Sequence, residues 1–108
     1  MKLLETRVYR GPSSYGYRPV IRCTIDLEEL EDQLAELPAS YVRIKGIART
    51  STSWVAFHRV GLRVSSEPLE RQPSGFGDNH GRIVALGRDL RQDQLAACVR
   101  AAIAAYSP

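Results

Sequence analysis

The chain has 108 residues, 44% of them hydrophobic and 25% charged, which is the usage of one ordinary globular domain and lies outside disordered or collagen-like composition. No apolar run approaches the roughly 20 residues that cross a bilayer, and Met1 to Arg7 lack the apolar stretch of a signal peptide, so the cytoplasm is the expected address. The net charge of +3 is unevenly held: Asp26, Glu28, Glu29, Glu31, Asp32 and Glu36 make up half of the twelve acids, and all fifteen Lys and Arg lie elsewhere. A surface with opposite poles suits electrostatic docking as well as solubility.

In chain order, Leu3 to Tyr9 reads as a short edge strand, and residues 9–19 collect Gly, Pro, Ser and Tyr as a loop or arm. Val20, Ile21, Cys23 and Ile25 then form a strand pattern. Asp26 with Glu29 three positions on is a capping-box signature, so a helix should open there. Its Leu27, Leu30, Leu34 and Leu37 recur at helical spacing and turn one stripe to the core, and Pro38 ends it. Tyr41 to Thr50 alternates as a half-buried strand, with Val42, Ile44 and Ala48 inward, Arg43, Lys45 and Arg49 outward, and Ile47 out of phase.

From Trp54 to Val64 the apolar phase changes between Val55 and Phe57 on one side and Val60, Leu62 and Val64 on the other, which predicts a bulge or bend near His58-Arg59. Residues 65–81 read as a long connection with a tight turn at Gly75-Phe76-Gly77. Gly81 to Gly87 is nearly continuously apolar and is expected to be the best-buried strand. Asp89 with Gln92 repeats the capping-box logic ahead of a helix carrying Leu95, Val99, Ala102, Ile103 and Tyr106 on one face, with Cys98 on its flank. This order predicts an α+β fold: a mostly antiparallel four- to five-stranded sheet with two helices packed on one face. Residues 1–19 form an arm or edge strand, and residues 20–106 form the domain.

Arg43-Ile44-Lys45-Gly46-Ile47, then Trp54, then His58-Arg59-Val60-Gly61, then Gly81-Arg82-Ile83-Val84-Ala85-Leu86-Gly87-Arg88-Asp89-Leu90 precede a helix holding Leu95 and Cys98. Together, over about residues 20–104, they resemble the CobW C-terminal domain. The resemblance implies the accessory domain of a GTPase family that handles metals such as zinc or cobalt. It also implies a protein partner, either a CobW-like GTPase or its client. It does not carry over the family's activity, because the sequence holds no glycine-rich loop ending in Lys-Ser or Lys-Thr to cradle phosphates. The family's Cys-x-Cys-Cys metal motif belongs to the GTPase domain, and here Cys23 and Cys98 stand apart. No cofactor is expected in this chain; zinc or cobalt enters through the family association alone. A free-standing accessory domain and a piece excised from a longer protein fit the sequence equally.

His58, His80, Asp78, Cys23 and Cys98 are the residues able to ligate a soft metal, and no pair has the spacing of a zinc site. Asp78-Asn79-His80 is also ordinary turn chemistry. Both cysteines sit among apolar neighbours and read as buried thiols, with a single disulfide as the alternative, and nothing points to a nucleophile beside a base, so no enzyme site is expected. The Gly75 to Gly81 string precedes a strand and therefore lacks the helix dipole of a phosphate loop. Trp54 reads as a core residue or a partner anchor. Arg43, Lys45 and Arg49 project from one strand face, joined by Arg59 and Arg63 if the next strand pairs alongside. With helices on the opposite face, this is an exposed basic sheet face and the candidate partner-binding surface. Nucleic acid is the alternative partner, with Tyr9, Tyr15 and Tyr17 available to stack on bases, although these tyrosines belong to the arm and not to the basic strand.

Overall fold

The computed structural model describes residues 20–75, 77, 79–88 and 90–106, together with the backbone alone of 4–5, 8–10, 15–17 and 92. Its elements are strands β1 (Leu4–Glu5), β2 (Val8–Arg10), β3 (Tyr15–Tyr17) and β4 (Val20–Ile21), helix α1 (Leu27–Ala35), strands β5 (Tyr41–Arg49), β6 (Trp54–Val60), β7 (Arg63–Pro68) and β8 (Gly81–Gly87), and helix α2 (Gln92–Ala105). Pairing is antiparallel throughout, in the order β1-β4-β8-β5-β6-β7, with β3 also on the β8 edge and β2 on β3. The four longer strands and β4 form the expected antiparallel sheet, both helices cover the same face of it, and the fold is α+β. The backbone of Tyr15 to Tyr17 lies along β8 from Gly87 to Ala85, so part of the arm extends the sheet.

Helix α1 follows from its sequence in detail. Asp26 Oδ1 accepts the Glu29 backbone N–H at 2.8 Å, which satisfies one of the donors a helix start leaves orphaned. The return half of the capping box is not made. The Asp26 backbone N–H donates instead to the Ala102 carbonyl of α2 at 2.9 Å, while the Glu29 carboxylate accepts from the Gln33 side chain. The leucine stripe meets the core as its spacing requires: Leu30 and Leu34 are fully buried, Leu37 nearly so, and Leu27 packs against them. They share one cluster with Leu95, Val99 and Ala102 of α2 and with Ile44, Ala48, Phe57, Ile83 and Ala85 of the sheet. Each fully buried aliphatic side chain contributes about 1.5–3 kcal/mol.

Several local expectations are corrected. Val42, expected on the inward face, is 58% exposed, because the β5–β8 register shifts between Tyr41 and Arg43 and rotates Val42 outward. Tyr41 takes the core position and donates its hydroxyl to the Arg91 carbonyl at 2.7 Å, tying β5 to the start of α2. No bulge occurs at His58-Arg59. The β5–β6 register runs unbroken from Arg43 opposite Val60 to Arg49 opposite Trp54, and the apolar phase changes because Arg59 itself occupies a core position while Gly61-Leu62 reverses the chain. Gly61 has φ +61°, a conformation that favours glycine, and Val64 returns opposite Arg59.

The long connection accordingly begins after β7 and not at residue 65; Gly75 and Gly77 both have positive φ, as a tight turn requires, and Phe76 lies outside the described residues. Strand β8 is buried on one face only, since Arg82 and Leu86 are exposed while Ile83 and Ala85 are buried. Finally, α2 starts with Arg91 in the cap position and no side-chain cap bond there. Asp89, expected as that cap, lies outside the described residues.

Candidate functional site

Because both helices cover one face of the sheet, the other face, among the described residues, is built from strand side chains. Antiparallel pairing places directly opposite residues on the same face, so the rows can be read across the sheet from β8 to β7. One row is Leu86, Arg43, Val60 and Arg63; the next is Val84, Lys45, His58 and Ser65; the third is Arg82, Ile47, Ala56 and Glu67. Arg49 and Trp54 face each other beyond these. A concavity of about 700 Å³ lies over the middle of this face, with half-buried Ile47, Ala56 and Val84 as its floor and exposed Arg43, Lys45, His58, Val60 and Arg82 around them.

Of the expected binding residues, the structure brings Arg43, Lys45, Arg49 and Arg63 onto this face. Arg43, Lys45 and Arg63 are exposed and form no ion pair with a described residue; Arg49 is half-buried. Arg82 shares the face and donates to the Gly75 carbonyl across 3.4 Å. Glu67, on the edge strand, is the one acid that these rows contain.

Arg59 is not part of this surface. It points to the opposite face, is 0% exposed, and its guanidinium donates from Nε to the Gly61 carbonyl at 2.7 Å, from Nη1 to the Leu34 carbonyl at 2.9 Å and from Nη2 to the Pro38 carbonyl at 3.1 Å. Helix α1 carries no basic residue in its last turn. Arg59 supplies from β6 the positive charge that the carbonyl end of a helix favours. Burial lowers its pKa from the ordinary arginine value, with the nearby Cys98 opposing; it remains a cation at neutral pH. Cys98 caps the same helix end, donating its thiol to the Gln33 carbonyl at 3.7 Å. Burial pushes that thiol up to about 11, so it is an unreactive core thiol at neutral pH.

The metal candidates do not converge. His58 is exposed on the open face, where Nε2 and the Ser65 hydroxyl share a hydrogen bond of 2.7 Å whose direction depends on the imidazole tautomer. His80 precedes β8, bonded through its backbone to Ile21 and Arg49, and its Nδ1 is buried without a partner. Lys45, opposite His58, and Arg49, bonded to His80, are separated by about 13 Å along β5, and the two histidines flank β5 about 10 Å apart across the sheet. No single ion spans that gap. Among the described residues no three His, Cys, Asp or Glu side chains gather where they could hold a metal, and Asp78 lies outside the described residues. Zinc or cobalt therefore does not fit a site built from the described residues.

Trp54 is only 8% exposed and its row places it at the far end of the open face, so it is not an exposed anchor. The side chains of Tyr9, Tyr15 and Tyr17 lie outside the described residues. Sequence reading missed Arg82, Val84 and Leu86 as surface residues. The signal was present in the alternation of Arg82, Val84 and Leu86 with Ile83 and Ala85, but the apolar character of Val84 and Leu86 hid it.

The described residues define a small two-layer α+β domain in which neither helix covers the second, basic sheet face, and no helix among them is long and apolar enough to cross a membrane. The profile of the cobalamin synthesis protein cobW C-terminal domain matches residues 20–103, and the chain belongs to that family. A comparison with curated proteins gives no match. Among solved structures, the chain is similar to the Zn(II)-bound YjiA GTPase from E. coli, with a TM-score of 0.64 and 19% identity over 83% of this chain. A Zn(II)-bound triple mutant of YjiA GTPase matches with the same TM-score and identity. The chain spans 30% of the length of each of those proteins. This likeness shows that the fold is shared with those structures.

Proposed function

We propose that this chain is a non-catalytic protein-interaction domain that serves a zinc- or cobalt-handling GTPase of the CobW type, or the client of such a GTPase, in the cytoplasm. The observation that carries the reading is the sheet face that neither helix covers, where Arg43, Lys45 and Arg63 stand exposed and without ion-pair partners among the described residues while apolar side chains lie between them. Family membership supplies the kind of partner. The chemistry that such a system needs resides in the partner: the phosphate loop is missing from this sequence, and the described histidines and cysteines do not assemble a metal site. The domain contributes a shaped, charged surface and metal homeostasis is the process it serves. Nucleic acid, the alternative partner, draws no support from this face, because apart from His58 its described rows carry no exposed ring on which a base could stack.

Affinity capture by the tagged chain from cells of its own source tests this reading, paired with calorimetry of the chain alone against GTP, zinc and cobalt. The wild-type chain should retain a CobW-like GTPase or a metal-dependent client, and Arg43→Glu with Lys45→Glu should lose it. GTP binding by the chain itself, or equal capture by the double variant, would overturn the reading.

A further inference from the structure

The bare face is patterned in a way that specifies its occupant more closely than charge alone. Among the described residues the four exposed large hydrophobics, Val42, Val60, Leu62 and Leu86, all lie at one end of the sheet: Val60 and Leu86 in the row of Arg43, Val42 beside it in the β5 bulge, and Leu62 in the β6–β7 turn, at exposures of 40–65%. From there the apolar path continues through Val84 to Ile47 and Ala56 at the floor of the concavity. An exposed apolar patch with a charged rim marks an interaction site more often than a solvated surface.

We propose that the occupant is an acidic amphipathic helix of the partner protein, laid along β5 with its apolar stripe on Val60, Val84 and Ile47 and its carboxylates over Arg43, Lys45 and Arg63. This rests on the docking role proposed above. Charge complementarity selects an acidic ligand, and the apolar floor between the cations selects one that is apolar on its facing side. Shape selects a rod. A helix is about 10–12 Å across and fits a concave face, whereas a bilayer surface does not. From Arg43 to Arg49, β5 runs about 20 Å, the length of a helix of about fourteen residues. The docked helix would convert a two-layer domain into a three-layer one with the sheet buried on both faces. A second copy of this chain satisfies only half of the pattern: its acidic helix α1 already turns Leu30 and Leu34 into its own core and has only carboxylates to offer.

The test uses the full chain and three synthetic probes of about fourteen residues: a capped helix with leucines at helical spacing and glutamates elsewhere, the same helix with glutamines for glutamates, and an oligoglutamate. At about 50 mM salt, where surface charges act over more than 10 Å, the acidic amphipathic helix should bind at least about tenfold tighter than either comparator, the equivalent of one well-seated apolar side chain. Amide resonances of Lys45, Ile47 and Val84 should shift, and Val84→Ser and Lys45→Glu should each weaken binding. Oligoglutamate binding as tightly as the amphipathic helix would overturn the proposed occupant while leaving the basic face as a docking surface. No shift on this face with any probe would overturn both readings. Tighter binding of single-stranded RNA, or salt-sensitive dimerisation of the chain alone, would replace the helix with those occupants.

Discussion

Arg59 Nη1 donates to the Leu34 carbonyl across 2.9 Å, joining the third-from-last strand of the sheet to the end of its first helix, 25 residues earlier. Removing that guanidinium leaves the Leu34 and Pro38 carbonyls without their charged donor and opens a void in the core. Arg59→Ala should therefore destabilise the domain by at least about 3 kcal/mol in a denaturant melt. Arg59→Lys keeps the charge but loses the fork geometry and should recover only part of the loss. Arg63→Ala, exposed four residues away, should change stability by about 0.5 kcal/mol or less. Equal effects at the two positions would place Arg59 on the surface.

Gly46 faces the core directly opposite Phe57. A Cβ at Gly46 would run into the Arg82 backbone carbonyl and the Phe57 ring, so the ring packs where a side chain would otherwise stand. Gly46→Ala should cost about 1–3 kcal/mol or more by overpacking, measured as a lowered denaturation midpoint with an unchanged slope. An unchanged midpoint would mean that Phe57 moves aside freely.

Leu34→Ala removes a fully buried side chain from the centre of the leucine stripe and should cost about 2–5 kcal/mol. Glu31 faces away from that stripe but is half-buried and accepts the Ser66 hydroxyl at 3.1 Å. Its replacement by Ala should cost about 0.5–1 kcal/mol, the value of one exchangeable hydrogen bond.

Cys98 makes stability fall at high pH. Its folded pKa of about 11 exceeds the roughly 8.5 of an unfolded cysteine, so between those values the unfolded chain has released a proton that the folded chain retains. The contribution is whole below about pH 8.5 and is lost as pH rises to about 11. Wild-type protein should lose stability faster over that window than Cys98→Ala. Parallel pH profiles would mean that the thiol is solvated.

The helices and the sheet were legible in the sequence because their signals are local. The Asp26 cap, the leucine spacing, and the outward phase of Arg43, Lys45 and Arg49 depend on neighbours within a few positions. Arg59 was misplaced because a charged residue on an alternating strand looks like a surface residue, and its reason for burial, the carbonyl end of α1 with no basic residue of its own, lies far away in the chain. The same distance explains Val64: its phase makes sense only once Gly61 and Leu62 are seen to reverse the strand. The basic face was anticipated from β5, whereas its apolar component from β8 and β6 required the register between strands, which no single segment encodes.

On the proposed function, the sheet face left open by both helices is where this domain meets its partner. The most direct measurement is the association rate of the captured partner with wild-type chain and with Arg43→Glu, Lys45→Glu, followed from low to high salt. Both positions are exposed, so the melting curve of the variant should stay within about 1 kcal/mol of wild type. The rate at low salt should fall by at least about tenfold and lose most of its salt dependence. A variant that associates at the wild-type rate at low salt would contradict the account and move the docking site off this face.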